Sequence, residues 1–342
     1  MFSKRLFILT LLVGMLFYAL PGLATAQERL VVYSARGEQF TKPLLRAFER
    51  ATGIRTISLV GPGGQLLARL QEEGDRTEAD IFLTNAVLDL EMARQAGLLM
   101  PMQVTGLSRI DEDYIGENQE WVALSLRARV LVLNRNLVAE GNLTSIGDLA
   151  SPDVEGQVAI TTSTNGSFVG HIAAMVHQDG EEATLAFLQR LRTNAGNNVF
   201  PKHTPLVSAV ARGDVPIGLI NHYYYYRYLD DNPDAPLYIV FPDQDNGGAA
   251  IVASGVGITR HAPHADLARR FVEFLLTDEG LRLFAGVNHE FTTATHLTPQ
   301  GNEPGAQALQ DAANVLFGPL EPAFDPQYVD VAVRLIRQAG LQ

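Results

Sequence analysis

The chain has no cysteine in 342 residues. No disulfide staples it, and no lipid can be attached through a cysteine at an export cleavage site. Basic residues are scarce beside acidic ones, 26 against 38, for a formal net charge of −12. That balance disfavours nucleic acid as a partner. It also means that an anion would need a locally positive pocket, whereas a cation, or a cation with its counter-anion, suits the whole. Enzyme signatures are missing too. There is no G-x-S-x-G, no P-loop, no G-x-G-x-x-G at a strand end, and no H-x-x-x-H pair. A zinc site of the common kinds and a hydrolase are therefore not indicated, and the expectation is a protein that binds rather than catalyses.

Long apolar runs are confined to the first residues. Lys4 and Arg5 precede a run from Leu6 to Leu20, broken by Pro21 and Gly22 and ended by Ala24-Thr25-Ala26. This is the order of a secretory signal cut after Ala26, and the run is shorter than the roughly 20 residues that span a bilayer. With residues 1–26 removed, the net charge becomes −12 − 2 = −14, since Lys4 and Arg5 are the only charges lost. The expectation is a freely diffusing protein of a Gram-negative periplasm. A chain of 342 − 26 = 316 residues is long for one core and suggests two domains.

The chain repeatedly reads as strand followed by helix. Leu30 to Ser34 is a strand, and a helix with Leu44, Leu45, Ala47 and Phe48 on its apolar face runs from about Thr41 to Ala51. Gly53 stops that helix. Ile54–Val60 and Ala79–Thr84 are strands, each followed by a helix. This order is the mark of a parallel sheet. Trp121–Ser125 and Ala128–Asn134 read as two strands with Arg127 between them, and Val158–Thr161 as another. Helices are expected from Phe168 to about His177 and from Glu181 to Arg192. Asp266–Leu276 and Tyr328–Ala339 read as helices as well. The fold class is α/β in two lobes, with mixed sheets flanked by helices and strands crossing between the lobes as hinges. Residues 27–128 and 252–302 form the first lobe and 129–251 and 303–342 the second. The ligand is expected in the cleft between them.

Five of the ten tyrosines fall in Tyr223-Tyr224-Tyr225-Tyr226-Arg227-Tyr228, directly after the apolar run Pro216–Ile220. They stand at the carboxyl end of a strand or at a helix start, where open α/β sheets place ligands. Phenolates are hard oxygen donors for a trivalent cation, which would lower their pKa. Adjacent residues can face one ion only in a turn or helix start. An aromatic patch, or rings stacking on an organic ligand, is the competing reading. Thr162–Ser167 offers hydroxyls, an amide and a close backbone approach at a helix start, which suits a small oxyanion or is ordinary capping. Arg127 and Arg129, two apart in a strand, face the same way and could grip an anion or form surface ion pairs. Arg36 is a second such candidate. His203 sits in a loop that could line the cleft, and His222 adjoins the tyrosines. His171 and His177 look helical, whereas His261, His264 and His289 look like surface loops.

The chain resembles the periplasmic ferric-iron-binding proteins of ABC importers, which are related in fold to the transferrin lobes. The resemblance spans nearly the whole exported chain. It is carried by Val32-Tyr33-Ser34-Ala35-Arg36, Ala79–Thr84, Trp121–Ser125 with Arg127-Ala128-Arg129, and Asn221-His222-Tyr223-Tyr224. It implies a type II binding protein that captures Fe³⁺ with a synergistic carbonate or phosphate, closes about a hinge, and hands its cargo to an inner-membrane ABC permease as a monomer. It implies that Tyr223 and Tyr224 bind iron. It places the anion at Thr164, Asn165, Gly166 and Ser167, with Asn221 and an arginine, and His203 stands where some members use a loop asparagine. Members with a first-lobe histidine and glutamate carry them where this chain has Gly37 and Asn85. Where others have a tyrosine, this chain has Glu38, an oxygen donor that could replace it. Some relatives of the fold bind phosphonates or phosphorylated compounds instead of iron, and that remains the alternative.

Overall fold

The computed structural model describes residues 29–162, 166–294, 297–301, 303 and 305–341. The leader segment 1–26 and residues Thr164 and Asn165 lie outside the described residues. The chain opens with β1 (Arg29–Ser34), α1 (Glu38–Thr52), β2 (Arg55–Val60), α2 (Gly63–Glu73), β3 (Ile81–Thr84), α3 (Val87–Gln95) and the short β4 (Leu99–Met100). Helix α1 begins earlier than the sequence suggests, because the Gly37 carbonyl accepts from the N–H groups of both Phe40 and Thr41. It ends where expected, at Gly53, whose φ of 73° favours glycine.

One long strand follows, β5 (Trp121–Asn134), where two were expected. Arg127 does not interrupt it. Its backbone stays in the ladder while its guanidinium reaches the Asn85 carbonyl. Then come β6 (Val158–Thr161), α4 (Gly166–Ala195), β7 (Val199–Phe200), α5 (His203–Arg212), β8 (Ile217–Asn221), α6 (Tyr223–Asp231) and β9 (Leu237–Val240). Helix α4 joins the two expected helices across a break at Gly180, whose φ of 82° and ψ of 172° are not helical. The remainder is β10 (Ile251–Thr259), α7 (Ala265–Leu275), α8 (Asp278–Asn288), β11 (Phe291–Thr292), α9 (Ala306–Ala312) and α10 (Pro326–Gln338).

The strands run in the order β2-β1-β3-β10-β5-β8-β6-β7. β1 is parallel to β2 and β3, as the repeating strand–helix order predicts. β8 is parallel to β6 but antiparallel to β5, so the sheet is mixed around the tyrosine strand. The decisive feature is β5. Its residues Trp121–Ala128 pair with β10, and Arg129–Leu133 pair with β8. Apolar packing divides accordingly. Phe48, Phe271 and Phe284 lie in a core with Leu30 and Val122. Leu131, Phe168 and Leu219 lie in another with Ala332 and Leu335 of α10. A third layer, including Leu67, Val130 and Leu206, runs along both halves of the sheet.

Arg36, two residues past the end of β1, lies in a fully enclosed ion pair. Its Nη2 lies 3.1 Å from Glu290 Oε1, its Nη1 donates to Ser254 Oγ at 2.6 Å, and Ser125 Oγ and Asn288 Nδ2 also reach Glu290. Burial alone would raise the Glu290 carboxyl, but Arg36, Arg127 and these hydrogen bonds hold it at about 2 against an ordinary 4.5. Its stabilisation is complete above about pH 4.5 and is lost as pH falls towards 2. Glu290→Gln is expected to cost about 3 kcal/mol in urea unfolding at pH 7 and to flatten the acid limb of the stability profile. An unchanged midpoint would contradict the arrangement.

Candidate metal centre

The tyrosine helix is positioned by local sequence. Ile217-Gly218-Leu219-Ile220 is wholly buried as β8, with Gly218 against Leu206 and Val132, where a Cβ would stand 2.5 Å and 2.9 Å from their side chains. Asn221 ends the strand opposite Arg129. His222 turns the chain, and Tyr223 and Tyr224 occupy the first turn of α6. Both therefore reach one cleft, as the helix-start argument requires, and their ring centroids are 4.3 Å apart. Tyr225, Tyr226 and Tyr228 fall elsewhere. Tyr226 is buried and donates to Asp311, while Tyr225 and Tyr228 pack at the edge of the core.

His222 is fixed by its two ring nitrogens. Nδ1 accepts from the Ala128 N–H at 3.0 Å, so the proton sits on Nε2 and points to the His289 carbonyl at 2.8 Å. The ring stacks on Phe291 with 3.8 Å between centroids, and burial drives its pKa to about 3. It is a neutral structural wedge. His289, expected in a surface loop, instead caps α8 and bonds Asp230 of the tyrosine helix at 2.7 Å.

The cleft has a volume of about 440 Å³. One wall carries Tyr223, Tyr224, Asn221, Ser167, Gly166 and His203; the other is Asn85 to Leu88, with Arg127 between. Arg129 lies behind the tyrosines, 1% exposed. Its Nη1 donates to Asn221 Oδ1 at 2.8 Å, while Nε and Nη2 have no hydrogen-bond partner. Asn221 Nδ2 in turn lies 3.5 Å from the Tyr223 hydroxyl. Burial lowers Arg129 to about 9, although Tyr223 and Tyr224 pull it upward. Burial, and then proximity to Tyr223, raises Tyr224 above its usual value.

His203 is the first residue of α5 rather than part of a loop, because β7 ends three residues earlier and the chain turns straight into the helix. Its ring lies 4.7 Å from that of Tyr224. Burial, with Arg129 and Arg127 nearby, holds it well below 6.5, so it is neutral. With no carboxylate lining the cleft among the described residues, its charge is that of Arg127, with Arg129 buried behind. This is the local positive pocket that a net-negative chain needs for an anion.

The structure does not bring every expected residue here. Arg36 is spent on Glu290 and does not line the cleft. Glu38 is exposed, pairs with Lys42 at 2.7 Å, and is not among the lining residues. Gly37 precedes α1, and Asn85 contributes its carbonyl to Arg127. Among the described residues no three His, Cys, Asp or Glu side chains could hold a metal. The ion-binding capacity of the cleft therefore rests on phenol oxygens and whatever oxygens a ligand brings. A bridge missed by sequence reasoning is Arg227, whose guanidinium lies 5.8 Å from the Tyr224 ring and 5.9 Å from Phe40 on α1. Its position four residues into the tyrosine helix was the available signal.

A family model for bacterial extracellular solute-binding protein matches residues 30–286. Iron uptake protein A1 of Synechocystis sp. is 30% identical over 272 residues, covering 78% of this chain and 76% of that protein. The major ferric iron-binding protein of Neisseria meningitidis is 29% identical over 96% of this chain and 98% of its own length. A solved Trichodesmium protein in complex with iron and citrate ligands superposes with a TM-score of 0.79 at 25% identity, covering 92% of this chain and all of that one. The fold is that of the type II periplasmic binding proteins.

The Arg129–Asn221 pairing generates a direct expectation. Asn221→Leu removes the acceptor of a buried guanidinium and should cost about 2 kcal/mol in urea unfolding. An unchanged midpoint would show that Arg129 is not held as described.

Proposed function

The chain belongs to the bacterial extracellular solute-binding protein family, and on that premise we propose that it captures ferric iron in its cleft. The observation that carries this reading is the pair of phenols at one helix start, with the Arg127 guanidinium lining the same cleft and Arg129 buried behind them. Tyr223 and Tyr224 bond the ion as phenolates. Fe³⁺ with two phenolates leaves one positive charge, and Arg127 and Arg129 add two more, so an accompanying anion is required electrostatically. Carbonate or phosphate fits the lining of Ser167, Gly166, Asn221, Arg127 and His203, with Thr164 and Asn165 continuing the same helix start. A cleft of about 440 Å³ also has room for a larger carboxylate. The opposite wall offers no strong donor, so the anion supplies further oxygens. Glu38 would have to swing in from its pair with Lys42 to take part.

The two lobes, 27–128 with 252–302 and 129–251 with 303–342, close about β5 and β10. Leu309 of α9 shares the core of Phe284 and Leu297, which supports a first lobe that extends to this helix. Arg227, between Tyr224 and Phe40, joins the lobes at the cleft. The loaded monomer, exported through a leader cleaved near Ala26 into the periplasm, delivers iron to an inner-membrane ABC permease and performs no catalysis. The missing first-lobe donors favour a second reading, in which the same guanidiniums hold a phosphonate or sugar phosphate.

Ferric ion added with carbonate, phosphate or citrate should develop a visible tyrosinate-to-iron charge-transfer band, absent from the Tyr223→Phe, Tyr224→Phe double variant. No band, with a rise in melting temperature on adding a phosphonate, would establish the second reading instead. Because Tyr224 is held protonated in the empty cleft, loading expels its proton. Apparent iron affinity should therefore fall by at least about tenfold per pH unit on acidification. A pH-independent affinity would contradict phenolate ligation.

A further inference from the structure

Behind the cleft, the break in α4 at Gly180 opens a second cavity of about 420 Å³, nearly the volume of the first. Its apolar part comes from Met175, Phe187 and the small side chains Ala183 and Ala186 on the two halves of α4. Its polar part is acidic. Asp243, held on the loop before β10, accepts from Ser145 Oγ at 2.5 Å and from the Ile146 N–H at 3.3 Å. Burial raises its carboxyl, those bonds oppose the rise, and Asp148 and Asp179 add to it. Asp179 lines the same space and makes no ion pair among the described residues. Arg190 is the one guanidinium or ammonium side chain lining it among the described residues, so two carboxylates face one guanidinium, with the His177 imidazole also on the rim. His171, 2% exposed, completes the wall; its Nδ1 has no hydrogen-bond partner, and burial beside Arg129 keeps it neutral.

A half-open space with apolar sides, an exposed rim at Asp179 and an excess of carboxylate has a definite complement. An anion would meet Asp179 and Asp243, and a neutral hydrocarbon would gain nothing from either charge. We propose that this cavity is a second binding site, for a small organic ammonium ion with an apolar body. The ammonium group sits between Asp179 and Asp243, and the body lies against Met175 and Phe187. The site belongs wholly to one side of the cleft and does not depend on iron. The same helix serves both spaces: Gly166, Ser167 and Gly170 line the cleft, and His171, Ala174 and Met175 line the cavity.

Isothermal titration calorimetry of the full exported protein, without iron, with 2-phenylethylammonium chloride tests this. Saturable binding is expected, with none for phenylacetate, which has the same ring and the opposite charge. Asp179 is exposed, so Asp179→Asn should leave folding intact and weaken binding by about threefold. Asp243→Asn should weaken it by about tenfold. Ala186→Phe, at an exposed position, should fill the cavity and abolish the heat. Loss of the signal in Ala186→Phe with an unchanged urea-unfolding midpoint would assign the amine to this cavity. No saturable heat, equal binding of phenylacetate, or undiminished binding by Ala186→Phe would overturn the proposal. None of these outcomes depends on whether iron binds.

Discussion

Backbone pairing along β5 changes hands between Ala128 and Arg129. Up to Ala128 the strand is bonded to β10, and from Arg129 to β8. The change is locked by a residue from the tyrosine turn, since the His222 N–H donates to the Ala128 carbonyl and His222 Nδ1 accepts from the Ala128 N–H. A continuous strand that belongs to two sheet halves creates a cleft beside the point of exchange. It also decides which residues face that cleft. Ser125, Arg127 and Arg129 share one side of β5 by the two-residue period. They meet in turn the Glu290 carboxylate, the Asn85 carbonyl and the Asn221 amide.

Electrostatics then separates structural charge from functional charge. Arg36 and Glu290 neutralise each other in the interior. Among the described residues Arg129 has no carboxylate partner, only the Asn221 amide and the Ser167 hydroxyl, and two of its nitrogens are unbonded. Burying a guanidinium so is costly unless something negative arrives. On the proposed reading, phenolates made by a bound ferric ion, with its anion, would supply that charge. Burial, and after it the same field, keeps His203 and His171 neutral, so neither adds to the positive charge an approaching cation must meet. On that reading cation and anion each need the other in this cleft.

Much of this was legible in the sequence because it is local. An apolar run followed by Asn221-His222-Tyr223-Tyr224 is enough to place two phenols at a strand end and helix start. The β1–α1–β2–α2–β3–α3 order likewise follows from periodicity and from Gly53. What was hidden depends on distant partners. Arg36 looked like an anion ligand, and only Glu290, 254 positions away, removes it from the cleft. Arg127 looked like a break between strands because a charge in an apolar run reads as a boundary. Its actual partner is a carbonyl 42 positions earlier. His289 looked exposed because nothing nearby in sequence announces Asp230. The acidic cavity behind Gly180 combines α4 with the loop at Asp243, a juxtaposition that no local pattern encodes.

The central claim is that iron is held from one wall, by Tyr223 and Tyr224, with the remaining positions filled by oxygens that the protein does not own. Crystals of the ferric-loaded protein, measured at the iron absorption edge, test it most directly. The account predicts a single anomalous peak bonded to both phenolate oxygens, with an exogenous anion between it and Arg127 and no side-chain ligand from α1 or the Asn85 loop. Iron bonded to Glu38 or to any other first-wall side chain, or absent from the tyrosine pair, would contradict it.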